Sequence, residues 1–128
     1  CRMGVYELRV GSSFSAAHHL ARYEGKCASV HGHNWNVEIV VRGRELNEAG
    51  MIGDFSIFRS ELDAVTGRLD HTDLNENEFM GGLNPTCENV AAKIYEELVV
   101  RINNERCRLA QVSVWEKSGS SVTYRADE

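Results

Sequence analysis

The stretch His31-Gly32-His33-Asn34-Trp35-Asn36-Val37-Glu38-Ile39-Val40-Val41-Arg42-Gly43 decides how this chain folds. Trp35, Val37, Ile39 and Val41 fall on every second position, the period of a strand with one buried face. The segment from about His33 to Gly43 therefore reads as a β-strand. His31 and His33 keep the same parity, so on an extended chain both imidazoles point to one side. Two imidazoles so placed can share one ion.

Toward the N-terminus, Leu8, Val10 and Phe14 alternate with polar neighbours and predict an earlier strand from Val5 to about Ser15. The connection between the two strands carries His18, His19 and Cys27. Beyond Gly43, Asp54 is placed to cap a helix in which Phe55, Phe58, Leu62, Val65 and Leu69 step by three and four. The lone proline, Pro85, marks the start of a second helix, capped by Thr86, with Val90, Ile94, Leu98 and Ile102 on one face. Ala110, Val112 and Val114 alternate in a third strand, Ser118-Gly119-Ser120 turns the chain, and Val122 to Arg125 form a fourth strand. The order ββααββ predicts one α+β domain over residues 1–128, an antiparallel four-stranded sheet with two helices on one face.

The 128 residues suffice for one core, and 42% hydrophobic with 26% charged residues is ordinary for a globular protein. A net charge of −5 argues against general nucleic-acid or acidic-membrane binding. No apolar run approaches the ~20 residues that span a bilayer, and no signal-peptide pattern opens the chain. The sequence thus predicts a cytoplasmic protein, with Met3 as its natural start after Cys1 and Arg2. The four cysteines, Cys1, Cys27, Cys87 and Cys107, contain no CxxC spacing and read as reduced thiols. Cys87 and Cys107 fall on helix and helix-end positions as plain buried or half-buried residues.

Four of the five histidines lie between positions 18 and 33, and an HxH pair on a strand with a third imidazole from its neighbour is a facial ligand set for zinc. Spacing alone leaves either His18 or His19 as that third ligand. Three nitrogens leave the fourth position open for chemistry. In the rival arrangement Cys27 fills it and the site is structural. Lys26 and a nearby dication would both favour the Cys27 thiolate. Asp70-His71 follows the first helix, and a carboxylate beside an imidazole is how a proton carrier is oriented. Glu116 continues the face of Ala110, Val112 and Val114. It either reaches solvent at the strand end or carries a carboxylate inward to meet a donor-rich partner.

Taken together, FSAAHHL, CASVHGHN, the GMIGDF segment, LDH, NPTCEN and VSVWE resemble the 6-pyruvoyl-tetrahydropterin synthase family over about residues 5–125. The resemblance implies the tunnelling fold, a zinc site of three histidines, and homohexamers built from two trimers with active sites between subunits. Members that make 6-pyruvoyl-tetrahydropterin place five residues between the cysteine and HGH, whereas the queuosine-pathway branch, the 6-carboxy-5,6,7,8-tetrahydropterin synthases, places three. Here Ala28, Ser29 and Val30 are three, so the chain is most similar to the queuosine branch.

By that resemblance His18, His31 and His33 would hold zinc, with His19 a bystander. Cys27 would accept the proton, and His71, oriented by Asp70, would relay it. Glu116 would grip the pterin ring as a bidentate acceptor, and Thr86 would touch it as well. The implied substrate is 7,8-dihydroneopterin triphosphate, converted to 6-carboxy-5,6,7,8-tetrahydropterin with release of acetaldehyde and triphosphate. Arg22, Lys26 and Arg68 are candidates for the phosphates, with solvated surface charge as the simpler role for each. The alternatives are a 6-pyruvoyl-tetrahydropterin synthase, which leaves the side chain uncleaved, and a zinc-stabilised binding protein without turnover.

Overall fold

A computed structural model describes residues 4–22, 24–25 and 28–125. Strand β1 (Tyr6–His18) pairs antiparallel with β2 (His31–Gly43) along its whole length, from Tyr6 opposite Gly43 to His18 opposite His31. Two helices follow, α1 (Phe55–Thr66) and α2 (Cys87–Ile102), with the two-residue strand β3 (Thr72–Asp73) between them. Strand β4 (Cys107–Lys117) pairs antiparallel with β2, and β5 (Ser120–Arg125) pairs antiparallel with β4. The sheet order is β3-β1-β2-β4-β5.

The four expected antiparallel strands are present, and β3 makes the sheet five-stranded and mixed. It runs parallel to Ala16–Ala17 at the edge of β1. Two residues carry no alternation that a sequence pattern can register. Backbone bonds place them: the His71 amide donates to the Ser15 carbonyl (2.6 Å) and the Leu74 amide to that of Ala17 (2.8 Å).

The Asp54 carboxylate accepts from the Ser56 amide at 2.8 Å and the Thr86 hydroxyl from the Asn89 amide at 3.1 Å, so both helices start where the caps predict. Phe58, Leu62 and Val65 of α1, with Val90, Ile94, Leu98 and Ile102 of α2, pack on one face of the sheet. That face presents Val10 and Phe14 from β1, Trp35, Val37 and Ile39 from β2, and Val112 and Val114 from β4. Phe14 and Trp35, opposite each other in the register, stack with ring centroids 5.5 Å apart. Each such fully buried side chain contributes roughly 1.5–3 kcal/mol.

Several boundaries differ from the sequence reading. Strand β1 runs past Ser15 to His18 and β2 starts at His31, so His18 lies in a strand and not in the connection. Helix α1 stops at Thr66 because the chain tightens there into i→i+3 bonds, from the Arg68 amide to Val65 and from the Leu69 amide to Thr66. Leu69 is nonetheless fully buried. Cys107 opens β4 instead of ending a helix. The Asn104 and Asn103 side chains accept from the Cys107 (2.9 Å) and Leu109 (2.7 Å) amides and turn the chain into the strand. Among the described residues no helix is long and apolar enough to cross a membrane.

Candidate active site

The C-terminal end of β1, the start of β2, the end of β4 and the N-terminus of α2 converge at one end of the sheet. Strand pairing sets His18 opposite His31 and Ala16 opposite His33. His18 has the parity of Phe14, and His31 and His33 that of Trp35, so all three imidazoles lie on the helix-covered face. Their ring centroids are 4.6, 5.2 and 4.7 Å apart, and one nitrogen from each lies within 4.8 Å of the other two. These three residues can hold a metal ion.

The hydrogen bonds around the rings fit that use. His18 Nδ1 lies 2.8 Å from the Pro85 carbonyl oxygen and His31 Nδ1 2.7 Å from that of Ser29. A carbonyl only accepts, so each Nδ1 carries a proton, and in the neutral ring each Nε2 keeps its lone pair. Orientation of a ligand imidazole by a bond to its other nitrogen is the usual support of a metal site. The Nε2 atoms of His18 and His33 are buried without a hydrogen-bond partner, although His18 is completely buried. Burial lowers the pKa of both imidazoles and so favours the neutral, ligating form, opposed at His18 by the Pro85 bond and then by Glu116, and at His33 by Glu116. A cation is the partner that satisfies such an arrangement.

His19 stands outside this cluster. Asn75 takes its backbone, accepting from the His19 amide at 2.9 Å and donating to its carbonyl at 3.1 Å. Asn84 grips Ala21 in the same two-pronged way, at 2.9 and 3.1 Å. Neither clamp was legible in the sequence, where asparagine reads as loop chemistry. The Asn84-Pro85-Thr86 run could have drawn attention, since its three residues do three jobs: Asn84 holds the chain after β1, Pro85 fixes the His18 ring, and Thr86 caps α2.

Glu116 does turn inward. The Asn36–Trp115 pair puts it beside Trp35, and its Oε2 lies 3.5 Å from His18 Nε2. It is also the residue passed over in the β4–β5 register, between Trp115–Ser121 and Lys117–Ser120. Such a bulge re-aims a side chain. Cys87, half-buried as expected at the start of α2, lies against it, and burial together with the Glu116 charge pushes its thiol up to about 12. That contact between two sequence-distant residues was missed. Thr86 uses its oxygen as the α2 cap and still has a hydroxyl proton to give.

Asp70 accepts from the Ser15 amide at 2.8 Å and from His71 Nδ1 at 3.0 Å. The Ser15 bond is the main reason its carboxyl sits below the ordinary value. His71 adopts a left-handed backbone (φ 59°), and its side chain is 82% exposed. A shallow concavity of about 530 Å3 is shared by His71, Thr72 and Asp73 with His33 and the adjoining ends of β1 and β2. One chain thus forms the Asp70–His71 pair, and His71 stands outside the group of three imidazoles.

Cys27 and Lys26 lie outside the described residues. Arg22 is exposed with φ 59°. Arg68 pairs with Glu97 at 2.9 Å and lies over the Phe79 ring at 4.9 Å, which accounts for it as a surface group.

Comparison with known proteins bears on this site. The family model described as 6-pyruvoyl tetrahydropterin synthase matches residues 7–127. A Bacillus subtilis protein named 6-carboxy-5,6,7,8-tetrahydropterin synthase is 36% identical, over 94% of this chain and 85% of its own. One from Archaeoglobus fulgidus, named a putative 6-carboxy-5,6,7,8-tetrahydropterin synthase, is 38% identical over 80% and 84%. The solved structure of Caenorhabditis elegans 6-pyruvoyl tetrahydropterin synthase superposes with a TM-score of 0.86 at 29% identity, covering 99% of both chains.

Proposed function

Because the chain belongs to the 6-pyruvoyl tetrahydropterin synthase family, we propose that it converts 7,8-dihydroneopterin triphosphate to 6-carboxy-5,6,7,8-tetrahydropterin, with release of acetaldehyde and triphosphate, in the biosynthesis of queuosine and related 7-deazapurines. The chain is an enzyme of the lyase class. The observation that carries the choice of product is the three-residue gap, Ala28-Ser29-Val30, between Cys27 and His31-Gly32-His33. The names of the Bacillus and Archaeoglobus relatives support it.

His18, His31 and His33 hold zinc in this reading. Zinc supplies Lewis-acid polarisation of a substrate side-chain oxygen, which acidifies the adjacent carbon-bound hydrogen. Glu116 accepts hydrogen bonds from a ring N–H and the exocyclic amine of the pterin, one per carboxylate oxygen, and fixes which carbon faces the base. Thr86 adds its hydroxyl proton. The Cys27 thiolate removes the proton from the side-chain carbon. His71 Nδ1–H stays on Asp70, so Nε2 is the atom that takes up and returns a proton. Triphosphate leaves as the internal redox shift completes. Cleavage of the remaining side chain consumes one water, which supplies the second carboxyl oxygen and the aldehyde hydrogen.

The exposure of His71, outside the group of three imidazoles, supports completion of each site by a second copy of the chain, as in a homohexamer of two trimers. Open sheet edges at β5 and along most of β1 offer the pairing surfaces. The protein works in the cytoplasm in this reading.

A second reading is favoured by the match to the Caenorhabditis elegans enzyme: the reaction stops at 6-pyruvoyl-tetrahydropterin. Incubation of the zinc-loaded protein with dihydroneopterin triphosphate separates the two. One acetaldehyde per pterin, with a 6-carboxyl product, supports the proposal. Triphosphate release without aldehyde assigns the chain to the second reading.

A further inference from the structure

In its neutral, ligating form His18 keeps its proton on Nδ1, at the Pro85 carbonyl, and presents a lone pair at Nε2. Facing it at 3.5 Å is Glu116 Oε2, and a carboxylate oxygen only accepts. A cation between the two satisfies both atoms. His33 Nε2 is likewise buried without a partner. In a tetrahedral site with metal–nitrogen and metal–oxygen bonds of about 2.0–2.2 Å, neighbouring donor atoms stand roughly 3.3–3.6 Å apart. The His18–Glu116 separation falls in that range.

The backbone adds a reason for movement. Glu116 sits at the β4–β5 bulge, out of register with β5, and its side chain is 24% exposed. An incoming molecule can reach it.

We propose that Glu116 is the resting fourth ligand of the ion held by His18, His31 and His33, and that the pterin ring draws it away. This rests on the reading that Glu116 grips the ring. The carboxylate exchanges one cationic contact for two hydrogen bonds from the heterocycle, and the vacated position becomes available to a substrate oxygen only once the ring is seated. Glu116 then couples recognition of the pterin to exposure of the ion.

The test uses the full chain loaded with cobalt(II) or zinc and needs no turnover. The visible absorption of the cobalt protein should differ between wild type and both Glu116→Gln and Glu116→Ala. The zinc dissociation constant, by competition with a chelator, should rise about tenfold or more in both variants. Pterin without a side chain, which offers no hydroxyl to the metal, should shift the wild-type cobalt spectrum toward that of the variants. Identical spectra and zinc affinities in all three proteins overturn the inference. Pterin affinity of the metal-free proteins, from fluorescence quenching, separates the two claims. Weaker pterin binding by Glu116→Gln with an unchanged cobalt spectrum overturns the resting ligand alone. A changed spectrum with unchanged pterin affinity supports the ligand and overturns the ring contact. Thermal unfolding of each metal-free variant at the wild-type temperature shows that folding is not the cause.

Discussion

His18 donates its Nδ1 proton to the carbonyl of Pro85 across 2.8 Å, joining the end of β1 to the residue before the α2 cap. This bond links the fold to the chemistry. It closes a contact across 67 residues of sequence, satisfies one nitrogen of a fully buried ring, and leaves the other free to face His31 and His33.

His31→Ala removes one of three imidazoles and with it the facial set. Zinc measured after gel filtration should fall from one per chain to near zero, while the unfolding temperature of the metal-free protein stays close to wild type, because His31 is only half-buried. Stoichiometric zinc in the variant would refute the ligand assignment.

Cys27→Ala should retain zinc and fold and lose turnover by roughly 10²–10⁴-fold, the range for loss of a positioned proton acceptor. Steady-state product formation beside metal analysis gives the answer. Full activity takes Cys27 out of the mechanism.

Asp70→Asn tests the carboxylate that orients His71. The Ser15 amide foremost, then His71, holds the Asp70 carboxyl below its ordinary 3.8, against a weaker opposing effect of burial. On acidification the unfolded chain takes up this proton before the folded one. The stabilisation is therefore present above 3.8 and is lost as pH falls through the lower folded value. Urea unfolding should find the variant less stable near neutrality, with the gap narrowing as pH drops below 3.8. A gap independent of pH would show that ionisation of Asp70 is not what stabilises.

Removal of the metal separates a working site from a structural one. The core of Leu62, Ile94, Leu98, Trp35 and Ile39 is fully buried by the packing of apolar side chains on one another. A chelator should abolish turnover and leave the circular dichroism spectrum in place, with activity returning on added zinc. Unfolding by the chelator would mean that metal binding is part of the folding free energy.

Much of this was legible in the sequence because period-two alternation survives burial on one face. His31 and His33 declared their common side through Trp35, Val37 and Ile39. The choice of His18 over His19 was there too: His18 shares the parity of Leu8, Val10 and Phe14, but it is visible only if β1 runs past Ser15 to the end. The inward course of Glu116 was one of two open readings, since a pleat says which side a residue takes and not whether the sheet continues over it. Contacts made by backbone carbonyls or side-chain amides left no pattern. Pro85 and Ser29 hold the His18 and His31 rings, Asn75 and Asn84 hold the chain after β1, and Ser15 holds Asp70, all through groups that every sequence contains. The placement of His71 beside Ser15 depends on β3, which two residues cannot announce.

The proposed chemistry needs an ion bound by nitrogen and oxygen alone, with a fourth position that a substrate can take. X-ray absorption spectroscopy of the zinc-loaded protein measures this directly. The predicted result is a first shell of nitrogen and oxygen at about 2.0–2.2 Å with no sulfur. A sulfur scatterer at about 2.3 Å would place Cys27 on the metal, close the site and contradict the proposed chemistry.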